Sequence, residues 1–245
     1  MRSHSDKLRT TAQRDAQGTG KLTDEQPEFT QEASEQDIRD RTAASYRGSR
    51  SDPLFGLVLA GAVSVGLSPI INDGGADLRY TLVWGMLALF GVAAWLLGSA
   101  DRIEEEDPIN LVWGAVFGLI LSIPILAFVG NNLTEISERM FPGLSTGTVL
   151  AYLMFVMPLA ETLFFRGLLQ SSRAFWLPAV ICTVWQFVLF FPLINRGPLP
   201  LILAFVMLMA NLLYGYVRNR NGLAAAWICQ MTVNLVLLFF PFTGL

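Results

Sequence analysis

The chain has 245 residues, of which 53% are hydrophobic and 15% are charged, and its mean hydropathy is +0.47. This composition is too apolar for an ordinary soluble domain and is typical of an integral membrane protein. The net charge of -3 gives no reason to expect nucleic acid as a partner. Cys182 and Cys229 both fall in apolar stretches, which argues against a disulfide framework and favours buried thiols.

Residues 1–53 differ sharply from the rest of the chain. They hold nine of the 17 Lys and Arg residues and ten of the 20 Asp and Glu residues, with few large apolar side chains. Such a segment cannot bury enough apolar surface to offset the entropy that ordering would cost. We therefore predict a disordered cytosolic tail over residues 1–53 and a membrane domain over residues 54–245.

Apolar stretches alternate with short polar breaks from Leu54 onward. About 20 residues of α-helix cross the hydrocarbon core of a bilayer, so each apolar stretch is a candidate span. The predicted fold is an all-α polytopic membrane helix bundle with about seven transmembrane helices. The predicted spans are 54–72, 79–98, 109–130, 146–170, 175–194, 199–217 and 222–243.

Basic residues next to the spans favour one orientation, because Lys and Arg concentrate on the cytosolic side of a membrane. With the N-terminus in the cytosol, more of the neighbouring arginines face the cytosol than the outside. The cytosolic set is Arg41, Arg47, Arg50, Arg102, Arg173, Arg218 and Arg220, and the outer set is Arg79, Arg139 and Arg196. The distribution therefore predicts a cytosolic N-terminus and an external C-terminus.

Two charged residues lie inside a predicted span, Glu161 as the only carboxylate and Arg166 as the only base. A charge at membrane depth is costly and usually faces a cavity or a partner rather than lipid. Gln230 and Asn234 lie four apart on one face of the last span, at a depth similar to that of Glu161. We therefore expect these polar groups to meet in the cytosolic half of the bundle. Arg166 lies about 140° around an α-helix from Glu161, so it either joins these polar groups or extends toward the cytosolic interface.

Other polar and small residues in the spans have simpler interpretations. Gln186 and Asn211 either join neighbouring helices by hydrogen bonds or line the same cavity. Trp84 is interpreted, with other tryptophans near span ends, as an interfacial anchor. Gly114 and Gly118 form a Gly-x-x-x-Gly pattern that predicts close packing within the bundle.

Three short motifs resemble those of a known family. The segment PLAETLFFRGLL, residues 158–169, resembles the first motif of the CAAX-protease and bacteriocin-processing (CPBP) family, which includes the type II CAAX prenyl endopeptidases. Residues 191–195, FPLIN, resemble the second motif, Phe-x-x-x-His. Residues 222–237, GLAAAWICQMTVNLVL, are similar to the third motif, His-x-x-x-Asn. The resemblance covers about residues 145–240 and implies a membrane endopeptidase fold.

The chain departs from the family pattern at half of the motif positions. Three positions match it, namely Glu161, Arg166 and Asn234, and three are replaced, namely Thr162, Asn195 and Gln230. The resemblance implies that the first glutamate activates the hydrolytic water and that the closing asparagine helps to hold the oxyanion. The second glutamate and both histidines are the residues that are missing.

The missing histidines bear directly on catalysis. Peptide hydrolysis needs a base for the water and an acid for the leaving amine, or a metal ion. Histidine suits this role because its pKa lies near neutrality, whereas Asn and Gln amides do not titrate. Glu161 alone could serve as a base, but we expect proteolysis to be absent or very slow. We predict no cofactor and no metal site, since one glutamate without histidine offers too few ligands.

Three functions remain open from the sequence. The favoured one is a CPBP-like membrane protein that is proteolytically impaired and keeps its pocket for binding or regulation. The alternatives are an active glutamate-dependent intramembrane endopeptidase and a small membrane transporter. Expected partners are membrane lipid and a membrane-bound peptide or protein, and the expected location is a bacterial cytoplasmic membrane. We further expect the side chains of Glu161, Asn195, Gln230 and Asn234 to line one cavity open toward the cytosol.

Overall fold

The computed structural model describes residues 53–67, 76–96, 107–171, 173–194 and 197–244. The predicted tail lies outside these residues apart from Pro53, which begins the first helix. Throughout the described ranges the chain is helical or forms short connections between helices, and these ranges contain no strand.

Seven helices make up the described part of the membrane domain. They are α1 (Pro53–Gly66), α2 (Ala76–Leu96), α3 (Pro108–Met140), α4 (Thr146–Leu169), α5 (Trp176–Ile194), α6 (Leu199–Asn221) and α7 (Leu223–Thr243). Five of them, α2, α3, α4, α6 and α7, are long and apolar enough to cross a membrane. The apolar helices over Leu54–Gly66 and Trp176–Phe191 are shorter. The prediction of an all-α polytopic membrane bundle is confirmed for the described ranges.

Neighbouring helices run in alternating directions through the bundle. Ser64, near the end of α1, accepts a hydrogen bond from Arg79 at the start of α2, and Gly56 near the start of α1 packs on Phe90. Similar pairings, described below, join α4 in antiparallel fashion to α5 and to α7. Because every helix reverses the direction of the one before it, α2, α4 and α6 are parallel to one another.

Helix α3 is eleven residues longer than the span predicted from hydropathy. It continues past residue 130 to Met140, and its 33 residues span about 50 Å at 1.5 Å per residue. The extension carries buried side chains at helical spacing, Leu133, Ile136 and Met140. The hydroxyl of Tyr80 donates to the backbone carbonyl of Met140, which ties the end of α3 to the start of α2. An amphipathic pattern thus continues the helix where mean hydropathy falls.

The two glycines of the Gly-x-x-x-Gly pattern allow α3 to approach α7 closely. A Cβ atom at Gly114 would lie 2.2 Å from the carbonyl oxygen of Ala225. A Cβ atom at Gly118 would lie 2.8 Å from Cβ of Thr232 and 3.0 Å from the carbonyl oxygen of Cys229. The predicted packing role of these glycines within the bundle agrees with this contact.

Helix α4 departs from regular α-helical geometry on both sides of Pro158. It contains two π-helical stretches, Tyr152–Val156 and Thr162–Leu169. In such turns the backbone N–H donates five residues back rather than four, as the N–H of Gln170 does to the carbonyl of Phe165 at 3.0 Å. Proline supplies no N–H to the regular pattern and promotes such irregularity. Widened turns bring residues five apart nearly onto one face of α4.

Candidate functional site

Glu161 is fully buried at the centre of a polar network formed by five helices, α2, α4, α5, α6 and α7. Its Oε2 atom accepts hydrogen bonds from Nε2 of Gln186 on α5 and Nε2 of Gln230 on α7, each 2.7 Å long. Its Oε1 atom accepts a longer bond of 3.4 Å from the indole Nε1 of Trp84 on α2. Every side-chain partner named here is a donor, which is the arrangement that suits a carboxylate acting purely as an acceptor.

Thr162 and Gln230, which occupy two replaced motif positions, bond to each other. The hydroxyl of Thr162 donates to Oε1 of Gln230 at 3.3 Å. That bond leaves the Nε2 end of Gln230 facing Glu161. The two replacements therefore form a connected arrangement of a hydroxyl, an amide and a carboxylate.

A chain of hydrogen bonds links Arg166 to Glu161 through two amides. Nη2 of Arg166 donates to Oδ1 of Asn211 on α6, and Nδ2 of Asn211 donates to Oε1 of Gln186 at 2.8 Å. Nε2 of Gln186 then donates to Glu161. Since a guanidinium can only donate, it fixes which end of each amide faces the next group. Arg166 thereby orients the donor that Gln186 presents to Glu161.

Of the two placements open for Arg166, the structure has the one inside the polar group and not the one at the membrane interface. Its side chain is 2% exposed and its guanidinium lies 5.1 Å from the ring centroid of Tyr214. Nη1 contacts the backbone carbonyl of Glu161 at 3.4 Å and Sγ of Cys182 at 3.6 Å. The angle of about 140° between Glu161 and Arg166 applies to a regular α-helix. The π-helical turns of α4 change this angle. Local backbone geometry thus keeps Arg166 inside the bundle.

Asn234 lies apart from the carboxylate of Glu161, although it is on the same helix as Gln230. Its Nδ2 atom donates to the backbone carbonyl of Leu153 at 2.9 Å and lies 3.9 Å from Sδ of Met157. It lines, with Gln186, a cavity of about 30 Å³, which is enough for one or two water molecules. Glu161 is not among the residues that line this cavity. Asn234 thus lines a small void, whereas Gln230 bonds to Glu161 in the network. One cavity shared by these side chains and Asn195 stays a prediction.

Asn195, the predicted match to the first histidine, lies outside the described residues. The residue of α5 that reaches Glu161 is Gln186. Gln186 therefore has the position on α5 from which a side chain can act on Glu161.

Two residues of the network were given a lesser or different role by the sequence alone. Trp84 was interpreted as an interfacial anchor, but it is fully buried and donates to Glu161. Asn211 is 1% exposed and bonds to both Arg166 and Gln186, so it joins helices and also belongs to the network. Hydropathy places Trp84 only near the end of a span, and the only signal for Asn211 was a lone amide in an apolar helix.

Arg79 is a second buried arginine, which the sequence had suggested as an outer-side residue. It is 1% exposed, and its Nε and Nη2 atoms donate to the backbone carbonyl and hydroxyl of Ser64. Nη2 also donates to the carbonyl of Leu189 at 2.7 Å. The side chain thus joins α1, α2 and α5 near the end of the bundle where α2 begins.

The chemistry available to the described part of the site is narrow. Amides and hydroxyls can orient a water molecule or donate to an oxyanion, but they cannot take up a proton at neutral pH. The described residues contain no group of three or more His, Cys, Asp and Glu side chains that could hold a metal ion. Glu161 is thus the single carboxyl group of the network.

Comparison with known protein families gives a match over the same region. Residues 144–236 match the family described as type II CAAX prenyl endopeptidase Rce1-like. Over this region the chain is similar to the CAAX proteases. The match covers less than half of the 245 residues, from the start of α4 into α7, and includes every network residue named above except Trp84. Comparisons with curated proteins and with solved structures gave no match.

Proposed function

We propose that this CAAX-protease-like protein is proteolytically impaired and uses its buried polar network to bind or regulate a membrane-bound peptide or protein. The proposal rests on one observation, which is that N–H donors already bond to both carboxylate oxygens of Glu161. Both acceptor positions of Oε2 are used by Gln186 and Gln230, and Oε1 accepts from Trp84. A carboxylate in this state has little capacity left to activate a water molecule.

The amide replacements support the same proposal. A glutamine can hold the carboxylate but cannot relay a proton from an attacking water to a leaving amine. General acid–base help is typically worth roughly 10²–10⁴-fold in rate. Loss of both histidines therefore removes a large part of the rate acceleration that a membrane endopeptidase would need.

The restricted access to the network implies that a partner binds there only after a conformational change. The void beside Gln186 and Asn234 has about 30 Å³, far less than a peptide requires. A partner would have to move the side chains around Glu161 before reaching it. Buried polar groups that must exchange partners favour a slow regulatory response over rapid turnover.

The decisive experiment measures cleavage of a tethered membrane peptide by the purified protein in lipid vesicles. We expect little or no product from the unmodified protein, and none from Glu161→Ala. A triple variant with Thr162→Glu, Gln186→His and Gln230→His is expected to gain cleavage, because it restores a second carboxylate and two titratable groups around Glu161. A matched variant carries Asn195→His in place of Gln186→His, as the family motif would have it, and shows which of the two positions supplies the group that acts with Glu161.

The alternative function, an active endopeptidase, predicts the opposite result. Rapid cleavage by the unmodified protein that disappears in Glu161→Ala would contradict the proposal that proteolysis is impaired. It would support glutamate-dependent proteolysis. Gain of activity in the Asn195→His variant alone would show that α5 presents residue 195, and not Gln186, to the reacting atoms.

A further inference from the structure

A wide groove runs along the membrane-facing side of α2 and α4. The two helices are parallel, as shown by the contacts of Thr81 with Tyr152 and of Trp84 with Glu161. The groove between them has a volume of about 780 Å³. Trp84 lines it and also bonds to Glu161, so the groove and the candidate site share one side chain.

One end of the groove carries hydroxyl groups. The hydroxyl oxygens of Thr81 and Tyr152 lie 2.6 Å apart, and those of Ser145 and Thr148 lie 2.8 Å apart. All four residues are close to the starts of α2 and α4, which places this end near the surface of the membrane. Asp77, which is exposed and accepts from the hydroxyl of Tyr152, adds a carboxylate beside it. We call these residues the hydroxyl end of the groove.

The other end of the groove is apolar and is shaped by small residues. Gly85 and Ala88 line it from α2, and Val156 and Leu159 line it from α4. A Cβ atom added at Gly85 would meet no other atom within 4 Å, so the space beside it is open. The described lining contributes no side-chain donor or acceptor over this stretch.

We propose that the groove binds one acyl chain of a zwitterionic membrane phospholipid, with the glycerol and head-group region at the hydroxyl end. Hydroxyls can donate to ester and phosphate oxygens, while the apolar end offers only van der Waals contact. The carboxylate of Asp77 and the lack of Lys or Arg in the described lining disfavour an anionic head group and suit an amine-bearing one.

An extended peptide fits the same groove poorly. Backbone N–H and C=O groups at membrane depth must all be paired, and each unpaired group costs several kcal/mol. The apolar end of the groove provides no side-chain partner for them. A hydrocarbon chain has no such requirement, so the chemistry of the lining favours lipid.

A second groove in the bundle offers an internal comparison. It lies between α3 and α6, has a volume of about 430 Å³, and is lined by apolar residues that include Phe128 and Phe205. It has no hydroxyl end. Bulk lipid should contact it without any preference for the head group.

The test uses the full-length protein in lipid nanodiscs that contain a trace of phosphatidylethanolamine with a photoreactive group on one acyl chain. Mass spectrometry then locates the adducts. We expect adducts concentrated on α2 and α4 around Ala88 and Leu159, well above those on Phe128. The variant Gly85→Leu, which fills the groove without a backbone clash, is expected to reduce the α2 and α4 adducts several-fold. Gly61→Leu is the matched control, since an added Cβ there also meets no atom within 4 Å.

Three results would overturn the proposal. Adducts that are as frequent on Phe128 as in the α2–α4 groove, and unchanged by Gly85→Leu, would mean contact with bulk lipid only. Stronger labelling by an equivalent phosphatidylglycerol probe would contradict the assignment of the hydroxyl end. Preferential labelling by a tethered photoreactive peptide would assign the groove to a peptide. None of these readouts depends on cleavage, so the result is separate from the outcome for Glu161.

Discussion

At the scale of single residues, Glu161 is held by donors whose orientation is set elsewhere. Thr162 donates to the amide of Gln230, and Arg166 fixes the amide of Gln186 through Asn211. Neither glutamine can rotate its amide without placing two donors or two acceptors face to face. The carboxylate is thus the acceptor that this arrangement requires.

The near-isosteric change Glu161→Gln tests this requirement. The new NH₂ group would face either the N–H donors of Gln186 and Gln230 or, with the amide turned over, the indole N–H of Trp84. In both orientations donors face each other, and a buried donor without a partner costs about 1–3 kcal/mol. We expect a lower melting temperature in detergent, measured by thermal unfolding. The control is Glu138→Gln on the exposed surface of α3, which is expected to change little. Equal stability of the two variants would show that the amides reorient freely.

The relay from Arg166 is tested by a double-mutant cycle. In Asn211→Leu the amide of Gln186 loses the donor that orients it and becomes free to rotate. The destabilisation by Glu161→Gln should therefore be smaller in the Asn211→Leu background, with a coupling energy of about 0.5–3 kcal/mol. The exposed amide Asn131 supplies the control, because Asn131→Leu is expected to be additive with Glu161→Gln. Additivity in both cycles would rule out the relay.

At the scale of helices, the contact between α3 and α7 depends on the absence of side chains. The carbonyl oxygen of Ala225 occupies the place that a Cβ atom at Gly114 would take. A backbone oxygen cannot move aside as a flexible side chain can. The two helices would have to separate to admit even one methyl group.

We expect Gly114→Ala to destabilise the protein by about 1–3 kcal/mol, as overpacking does in a tightly packed core. Gly130→Ala, in the same helix, is the matched control, because its new Cβ would meet only Cδ1 of Leu126 at an ordinary 3.7 Å. Alanine favours a helix over glycine by about 1 kcal/mol, so this control should be neutral or stabilising. Chemical or thermal unfolding in detergent measures both. Similar losses in the two variants would argue against a close contact between α3 and α7 at Gly114.

At the scale of the whole molecule, the orientation in the membrane remains a prediction. The excess of arginines near the presumed cytosolic ends places the N-terminus inside, and seven crossings then place the C-terminus outside. An alkaline phosphatase reporter fused after Leu245 should be active, whereas a fluorescent reporter that matures only in the cytosol should be dark. The reverse pattern would invert the bundle and place the start of α4 at the cytosolic face.

The sequence by itself determined the class of the protein, the number of helices in the described membrane domain and the position of the one carboxylate inside a predicted span. These follow from hydropathy and charge, which act on each segment nearly independently of its neighbours. The short motifs on three helices also pointed to the family-like region that matches over residues 144–236. Even the packing of Gly114 and Gly118 could be read from their spacing, because small residues four apart share one helix face.

Only the tertiary structure decided which polar groups meet. Trp84, Gln186 and Asn211 come from three different helices, and their convergence on Glu161 and Arg166 depends on the rotation of each helix about its axis. Rotation is set by packing against neighbours, and in α4 also by π-helical turns that no hydropathy pattern reveals. For the same reason Gln230 contacts Glu161 while Asn234, one turn away, bonds to a backbone carbonyl instead. Hydropathy gives the depth of a residue in the membrane, whereas a hydrogen bond also requires that two side chains face each other within about 3 Å.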